Sequence, residues 1–278
     1  MFDVGIHLPQ FGRASGPDAI ARAARLAEER GFAGLWVSDH VVQPAAQNYP
    51  SPYLFDPIVA LTWAAALTSE IGLGTSVLVV PQRSPLELAN SLASLDQLTG
   101  GRLTVGVGVG WSEGEYAALG QSFGERGDRL DEALDLWRVV WRDDPASFQG
   151  RFTSFQDLRV LPRPAHEIPV WVGGSSPRSR RRAVERGDGF HLIGLTPDEV
   201  VAPITDLRAA RPEPAFRISL RTGWDPQGMD PDRIRTEREA YASAGVDYVV
   251  AAPWQTDIDS WLRSMERLAD LVDLTPRS

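Results

Sequence analysis

Residues 169–193 read PVWVGGSSPRSRRRAVERGDGFHLI and contain a strand, a turn, a helix and a second strand in succession. The apolar run at 169–172 predicts a buried strand, which leads directly into the glycine pair Gly173-Gly174. Residues 177–186 predict a helix that begins with proline after a serine cap. A second apolar run follows at 189–193. This order is typical of parallel α/β folds, because parallel strands need a crossover connection between them.

The same order recurs along the whole chain. Apolar runs that suit buried parallel strands stand at residues 4–8, 34–38, 71–79, 103–107, 169–172, 189–193, 217–222 and 247–251. Helical patterns occur at residues 17–30, 127–141, 177–186, 197–210, 231–243 and 258–271, and after the capping signals Asp56-Pro57 and Ser84-Pro85-Leu86-Glu87. Eight such units predict a (β/α)8 TIM barrel, with a doubly wound open sheet as the alternative.

Two segments refine this prediction. The first strand is followed by Leu8-Pro9-Gln10-Phe11-Gly12 and not by the GxGxxG fingerprint of dinucleotide-binding open sheets, which favours the barrel. Residues 143–164 carry prolines, a glycine and too few periodic apolar residues for a helix. We interpret them as an insertion after the fourth helix, with a short strand at 152–155, inside one domain that spans residues 1–278.

The composition excludes several classes of chemistry. The 278 residues include no cysteine, and all 28 basic residues are arginine. Disulfides, thiolate metal sites, cysteine nucleophiles and Schiff-base lysines are therefore excluded. The net charge of −9 argues against nucleic acid and anionic membranes as partners. The chain shows no metal-binding spacing, no signal peptide and no apolar run of membrane-spanning length, so we expect a cytoplasmic protein without a metal site.

Functional residues of such barrels lie just beyond the strand ends, which directs attention to four loops. The second strand leads into Asp39 and His40, suited to acid–base work or to a structural pair. The third ends in small residues through Ser76 and Val77, which taken alone fit an ordinary barrel strand. The fourth leads into Gly106-Val107-Gly108-Val109-Gly110, whose glycines either expose backbone amides to a flat or phosphorylated ligand or allow tight packing.

The loop after the fifth strand carries the clearest physical signal. Gly173, Gly174, Ser175 and Ser176 precede a helix, and this combination predicts an anion site at the helix N-terminus. The alternative is a serine-capped helix without a ligand. At least one of the arginines that follow could reach a phosphate or carboxylate, while most suit a solvated helix face; they are Arg178, Arg180, Arg181 and Arg182. No partner pattern is evident for His7 and His166, and His191 in the predicted strand suits a satisfied polar group of the core.

Taken in order, these stretches resemble the luciferase-like flavin and deazaflavin oxidoreductases. The matching segments are residues 8–12, 36–40, 55–61, 71–77, 98–111, 169–176 and 187–191. Each motif is modest alone, and the ordered set is specific and covers the whole chain. Within the superfamily the chain looks most like the actinobacterial branch presumed to use coenzyme F-420.

The resemblance implies specific roles for these residues. The family carries a non-proline cis peptide at the end of the third strand, which maps to Ser76–Val77 and supports the central ring of the cofactor. Its phosphate site maps to Gly173, Gly174, Ser175 and Ser176, and its glycine loop beside the ribityl chain to Gly108, Val109 and Gly110. Its Asp-His pair near the reacting carbon maps to Asp39 and His40. The glutamate of its sugar-phosphate dehydrogenases maps to Trp111, which argues against a sugar-phosphate substrate.

The resemblance therefore implies a coenzyme F-420-dependent oxidoreductase that transfers a hydride between the deazaflavin and a small organic substrate. His40 is the expected proton-handling or substrate-orienting group. One alternative is an FMN-dependent monooxygenase that uses reduced flavin and oxygen. A second is a non-catalytic flavin-binding barrel with a trans peptide at the third strand. Homodimerisation and a flavin or F-420 reductase as redox partner are further expectations. Residues 41–54 and the segment after Gly194 give no signature of the substrate.

Overall fold

Eight parallel strands close into a barrel in the computed structural model, which describes residues 2–47 and 51–276. In barrel order the strand segments are β1 (Asp3–His7), β2 (Gly34–Val37), β3 (Gly72–Thr75), β4 (Leu78–Val79), β5 (Leu103–Gly108), β8 (Val170–Gly173), β9 (Gly189–Ile193), β10 (Arg217–Thr222) and β11 (Tyr248–Ala251). The first strand pairs with both β2 and β11, which closes the ring. The predicted (β/α)8 barrel is confirmed, and the open sheet is excluded.

The third barrel strand is divided in two. Segments β3 and β4 both pair with β5, so they occupy one position in the barrel with Ser76 and Val77 between them. The sequence predicted one continuous strand over residues 71–79. The interruption re-aims the chain at the C-terminal mouth, as bulges do at barrel rims.

Helices surround the barrel at the predicted places. They are α1 (Pro17–Glu29), α2 (Pro57–Ala65), α3 (Pro85–Thr99), α4 (Glu113–Ala118), α5 (Arg126–Arg142), α6 (Pro177–Arg186), α7 (Pro197–Ala210), α8 (Pro231–Ala244) and α9 (Ile258–Leu271). The Asp56 carboxylate caps α2 by accepting the amides of Ile58 and Val59, and the Ser84 hydroxyl caps α3. The short helix α4 was not predicted.

The insertion contains a hairpin of two antiparallel strands, β6 (Ala146–Gln149) and β7 (Ser154–Leu158), and so differs from the single strand predicted at 152–155. The Glu132 carboxylate on α5 accepts the backbone amides of Arg151, Phe152 and Thr153 at the turn, at 2.6–3.0 Å. The hairpin is therefore fastened to α5, one of the helices that surround the barrel.

Large aromatic side chains fill part of the barrel interior. Trp36 and Trp171 stack with ring centroids 5.3 Å apart, and Trp36 Nε1 donates to the Tyr248 hydroxyl at 2.9 Å. A Cβ at Gly74 would lie 2.5 Å from the Trp36 ring, so glycine is needed where the indole crosses the strand. The interior is thus packed below and open above, which confines a ligand to the mouth formed by the strand C-termini.

Candidate active site

The mouth of the barrel holds a cavity of about 590 Å³, within the size range of small-molecule sites. Every site residue predicted from the sequence lines it: Asp39, His40, Ser76, Val77, Gly108, Val109, Gly110, Gly173, Gly174, Ser175 and Ser176. Four separate loops therefore converge on one surface. Leu54 and Leu195, from the two segments without a sequence signature, also line the cavity, while residues 48–50 of the first segment lie outside the described residues.

The break in the third strand lies in the cavity wall. The peptide bond between Ser76 and Val77 is cis, as the resemblance implied. The Ser76 carbonyl oxygen accepts a hydrogen bond from Arg221 Nη1 at 2.6 Å, and its hydroxyl lies 2.7 Å from His191 Nε2. Both backbone and side chain of Ser76 are therefore held from below, which fixes the surface that this turn presents.

Glycines around the break make room for the Val77 side chain. A Cβ at Gly108 would lie 2.5 Å from Val77 Cγ2, and one at Gly173 would lie 2.7 Å from Val77 Cγ1. A Cβ at Gly106 would lie 2.0 Å from the carbonyl oxygen of Thr75. Tight packing, one of the two readings of the alternating glycines, is thus a requirement at these positions. Gly108 and Gly173 line the cavity as well.

Two buried histidines form a neutral polar layer beneath the cavity. His7 Nδ1 donates to the Leu8 carbonyl at 2.8 Å, so its Nε2 accepts from the Ser38 hydroxyl, also at 2.8 Å. The ring of His191 lies between the hydroxyls of Ser76 and Ser219, each at 2.7 Å. Burial, reinforced by the positive charge of Arg221, lowers the pKa of both histidines to about 3. They are structural acceptors and donors, as the interpretation of His191 as a satisfied core group predicted, but the sequence did not identify their partners.

His40 is oriented by a carboxylate that sequence reasoning missed. Its Nδ1 lies 3.0 Å from Glu115 Oε2, and the other carboxylate oxygen accepts the Val41 amide at 2.6 Å. Burial alone would raise the pKa of Glu115, but the hydrogen bonds from His40 and Val41 outweigh it and hold the pKa below its ordinary value. An ionised Glu115 requires a proton on Nδ1 of His40. The second nitrogen, Nε2, is then the one that can exchange a hydrogen bond or a proton within the cavity.

This glutamate belongs to the same segment as Trp111, and the sequence interpretation did not consider it. Glu115 lies on α4, four residues beyond Trp111, and its backbone amide is capped by the Ser112 hydroxyl. The pattern Ser112-x-x-Glu115 resembles a capping box, yet the buried carboxylate bonds to His40 and Val41 and not back to the cap. Trp111 itself lies against the His40 ring, with centroids 5.7 Å apart. The loop after the fourth strand thus supplies both an aromatic wall and an acidic group.

Asp39 has different partners from its neighbour. Its side chain is fully buried, and its two oxygens accept from Arg83 Nη1 and Nη2 at 2.6 and 2.8 Å. One oxygen also accepts the Val79 amide at 2.8 Å, which ties β2 to β4. We interpret Asp39 as a positioning residue that holds the mouth of the barrel in shape. Its predicted catalytic role stays a prediction that this geometry does not support.

The opposite end of the cavity is suited to an anion. Gly174, Ser175 and Ser176 are exposed ahead of α6, and the Ser176 hydroxyl caps that helix by accepting the Ser179 amide at 3.1 Å. Gly174 has a φ of 132°, and a Cβ there would lie 2.9 Å from Ser179. The N-terminus of α5 faces the same space through Gly127. Two helix N-termini therefore direct their partial positive charge into one end of the cavity.

Only part of the arginine run reaches this space. Arg178 and Arg182 line the cavity, and Arg182 is paired with Asp131, with Nε 2.5 Å from Oδ1. Arg180 donates to the Ser175 carbonyl at 3.2 Å, while Arg181 pairs with Glu185. The expectation that one arginine could reach an anion, with others on a solvated face, fits this distribution.

Aromatic side chains also line the cavity. Phe11 and Trp254 lie with ring centroids 5.4 Å apart, and Trp254 also packs against His7. Trp254 follows β11 and was not singled out in the sequence. Trp111 lies against His40 and is 54% exposed, so it is available to contact a ligand. The cavity therefore combines aromatic walls with one oriented imidazole.

Two general features bear on function. Among the residues described, no group of three or more acidic, histidine or cysteine side chains could hold a metal ion. Within the same part of the chain, no helix has the length and apolar character needed to cross a membrane.

Comparison with known proteins places these features in context. The family model described as luciferase-like monooxygenase matches residues 2–253. An uncharacterised protein of Mycobacterium tuberculosis is 35% identical over 268 residues, covering 90% of this chain and 92% of the relative.

Two relatives carry functional names. An F-420-dependent hydroxymycolic acid dehydrogenase of M. tuberculosis is 32% identical, over 84% of this chain and 61% of its own length. An F-420-dependent glucose-6-phosphate dehydrogenase of Kineococcus radiotolerans is 35% identical, over 63% of this chain and 52% of its own length. The chain thus spans about half to three fifths of these two enzymes.

Solved structures share the fold. A monooxygenase from Streptomyces bottropensis superimposes with a TM-score of 0.83 at 21% identity, over 98% of both chains. An F-420-dependent secondary alcohol dehydrogenase, solved with an F-420–acetone adduct, gives a TM-score of 0.80 at 18% identity, over 98% of this chain and 99% of the other. At these identities the likeness concerns architecture.

Proposed function

The chain belongs to the luciferase-like monooxygenase family of oxidoreductases, and on that premise we propose that it uses coenzyme F-420 to exchange a hydride with a small organic substrate. The observation that carries the proposal is the single cavity that joins an anion-binding end to an oriented histidine. A cofactor with a flat ring and a phosphate needs both parts at once. The named F-420-dependent relatives support the deazaflavin over FMN.

The residues fit such a cofactor. The α6 N-terminus with Gly174, Ser175 and Ser176 would hold the phosphate, and the Ser76–Val77 turn with Gly108 would face the ring. When bound, the deazaflavin supplies the hydride chemistry, and the protein supplies position and electrostatics. Gly108 and Gly173 have no side chain, and the Val77 side chain fills the space that a Cβ at either position would take. Glycine at both positions therefore lets Val77 pack against this wall of the cavity.

His40 would act on the substrate. Glu115 holds Nδ1 of the imidazole, so Nε2 can accept a proton from a substrate hydroxyl or return one to a carbonyl oxygen. The rings of Phe11, Trp111 and Trp254 would exclude water from this step. A homodimer and a separate reductase partner remain part of the proposal.

A cofactor titration tests the assignment. Purified protein is titrated with F-420 and with FMN, each in oxidised and reduced form, and binding is followed by fluorescence. We expect quenching of deazaflavin fluorescence at micromolar protein and no comparable change with FMN. Tighter binding of reduced FMN than of either deazaflavin form would replace this proposal with the FMN-dependent monooxygenase. Absence of binding by every form would favour a barrel without redox function.

A further inference from the structure

Two arginines at the anion-binding end of the cavity are left without an acidic partner by the described part of the chain. Arg126 and Arg178 both line the cavity, from the N-termini of α5 and α6. Within residues 2–47 and 51–276 neither forms an ion pair, and the buried Nε of Arg126 has no hydrogen-bond partner there. The guanidinium of Arg126 stacks on the Phe123 ring at 3.7 Å and donates to the Phe123 carbonyl at 2.6 Å. Arg126 is therefore held in place without having its charge matched.

The acidic groups nearby are already paired with other arginines. Glu125 bonds to Arg129 at 3.2 Å and to Arg151 at 2.6 Å, and Asp128 lies 3.2 Å from Arg151. Asp131 pairs with Arg182, as described above. These pairs leave the two cavity-lining arginines as a local excess of positive charge. In a chain with a net charge of −9, such an excess beside a cavity is a specific feature.

The positive charge of Arg126 and Arg178 is more than the binding of one phosphate group requires. The exposed loop Gly174, Ser175 and Ser176 and two helix N-termini already offer backbone donors for a phosphate. Arg178 is exposed at the rim, and Arg126 faces the same opening from the neighbouring helix. Two cations from neighbouring helices at this opening suit a ligand whose negative charge continues beyond its phosphate.

We propose that Arg126 and Arg178 bind carboxylates of an acidic peptidyl tail attached to the cofactor's phosphate, and thereby select the tailed deazaflavin over FMN. Coenzyme F-420 carries glutamyl carboxylates through a phosphodiester, whereas FMN ends in a phosphate monoester. The inference rests on the proposed function, because it assigns this end of the cavity to the cofactor's phosphate.

Binding constants for two matched ligands test the pair. The probes are tailed F-420 and the same deazaflavin ending in its 5′-phosphate, both followed by fluorescence quenching. Arg126→Met combined with Arg178→Met should weaken tailed F-420 about tenfold, or about threefold for each arginine, and change the monoester less than twofold. Raising the salt concentration should weaken tailed F-420 in the wild type and have a smaller effect in the double variant.

Arg181→Met is the matched control, because it removes the same charge from α6. Arg181 pairs with Glu185 and does not line the cavity. It should leave both binding constants unchanged. Arg178→Met alone serves if the double variant fails to fold, since Arg178 is exposed. Equal losses for both ligands, or no loss for either, would overturn the inference. Wild-type protein that binds neither deazaflavin would refute the proposed function instead.

Discussion

The pairing of His40 with Glu115 decides what the imidazole can do. A neutral histidine exposes either nitrogen, and the choice depends on the partner of the other nitrogen. Here a buried, ionised carboxylate accepts from Nδ1 at 3.0 Å. The adjacent Asp39 is occupied by Arg83 and cannot perform this task. One residue of the Asp-His pair thus braces the mouth, and the other presents an oriented imidazole to the cavity.

Replacing His40 separates catalysis from binding. His40→Ala should lower turnover about 100-fold or more, the usual contribution of a general acid–base group, because the neighbouring Asp39 is held by Arg83. The dissociation constant of the cofactor should change less than about twofold, since the anion end is untouched. Stopped-flow measurement of deazaflavin reduction, with equilibrium titration alongside, gives both quantities.

Glu115→Gln is the companion variant, because it keeps the shape of the side chain and removes its charge. We expect this variant to lose less turnover than His40→Ala. We also expect the dependence of its turnover on pH to differ from that of the wild type. A His40→Ala protein with wild-type turnover would show that His40 does not handle the proton.

At the scale of elements, the split third strand and its glycine neighbours form one packed unit. The strand break places the Val77 side chain against β5 and β8, where Gly108 and Gly173 leave space for it. The sequence predicted that these glycines serve either ligand approach or close packing. The structure shows that the same positions line the cavity and make room for Val77. Packing of the third strand therefore sets the form of the cavity wall.

A double-variant cycle measures this packing. Gly108→Ala should destabilise the protein by about 1–3 kcal/mol, because its Cβ would lie 2.5 Å from Val77 Cγ2. Adding Val77→Ala removes both γ carbons and should recover most of that loss. Urea unfolding of the two single variants and the double variant gives the coupling energy.

Gly106→Ala provides the control for the cycle. Its Cβ would meet the Thr75 carbonyl oxygen at 2.0 Å, which is backbone, so Val77→Ala should not rescue it. Purely additive energies for the Gly108 pair would mean that the two positions do not share this contact.

At the scale of the whole molecule, folding buries two histidines and so disfavours their protonated, charged form. His7 on β1 and His191 on β9 are fully buried, and their pKa falls to about 3 from an ordinary value near 6.5. Between these values the unfolded chain binds protons that the folded barrel does not. Stability therefore rises with pH across this window and is lost as the pH falls below about 6.5.

Unfolding measured against pH tests this linkage. Each histidine should contribute a slope of about 1.4 kcal/mol per pH unit to the free energy of unfolding between roughly pH 6 and 4. His191→Asn should remove one such contribution from urea-unfolding data collected at several pH values. Ser219→Ala deletes a hydrogen bond to His191 at 2.7 Å but keeps the titrating ring, so it should preserve the slope. An unchanged slope in His191→Asn would exclude His191 as a source.

The sequence by itself determined the barrel and the four loops that carry the candidate site. Strand and helix periodicity are local properties, and the barrel topology brings strand C-termini together wherever eight such units close. The residues at those ends, from Asp39 to Ser176, could therefore be placed in one mouth without coordinates. The resemblance further implied the cis bond between Ser76 and Val77, which the structure confirms.

Only the tertiary structure decided the partners. His40 meets Glu115 across 75 positions, His191 meets Ser76 across 115, and Asp39 meets Arg83 across 44. No sequence period encodes such contacts, because they depend on how neighbouring loops fold over the mouth. The same holds for Arg126 and Arg178, whose unmatched charge becomes visible only when every nearby acid is seen with its own partner.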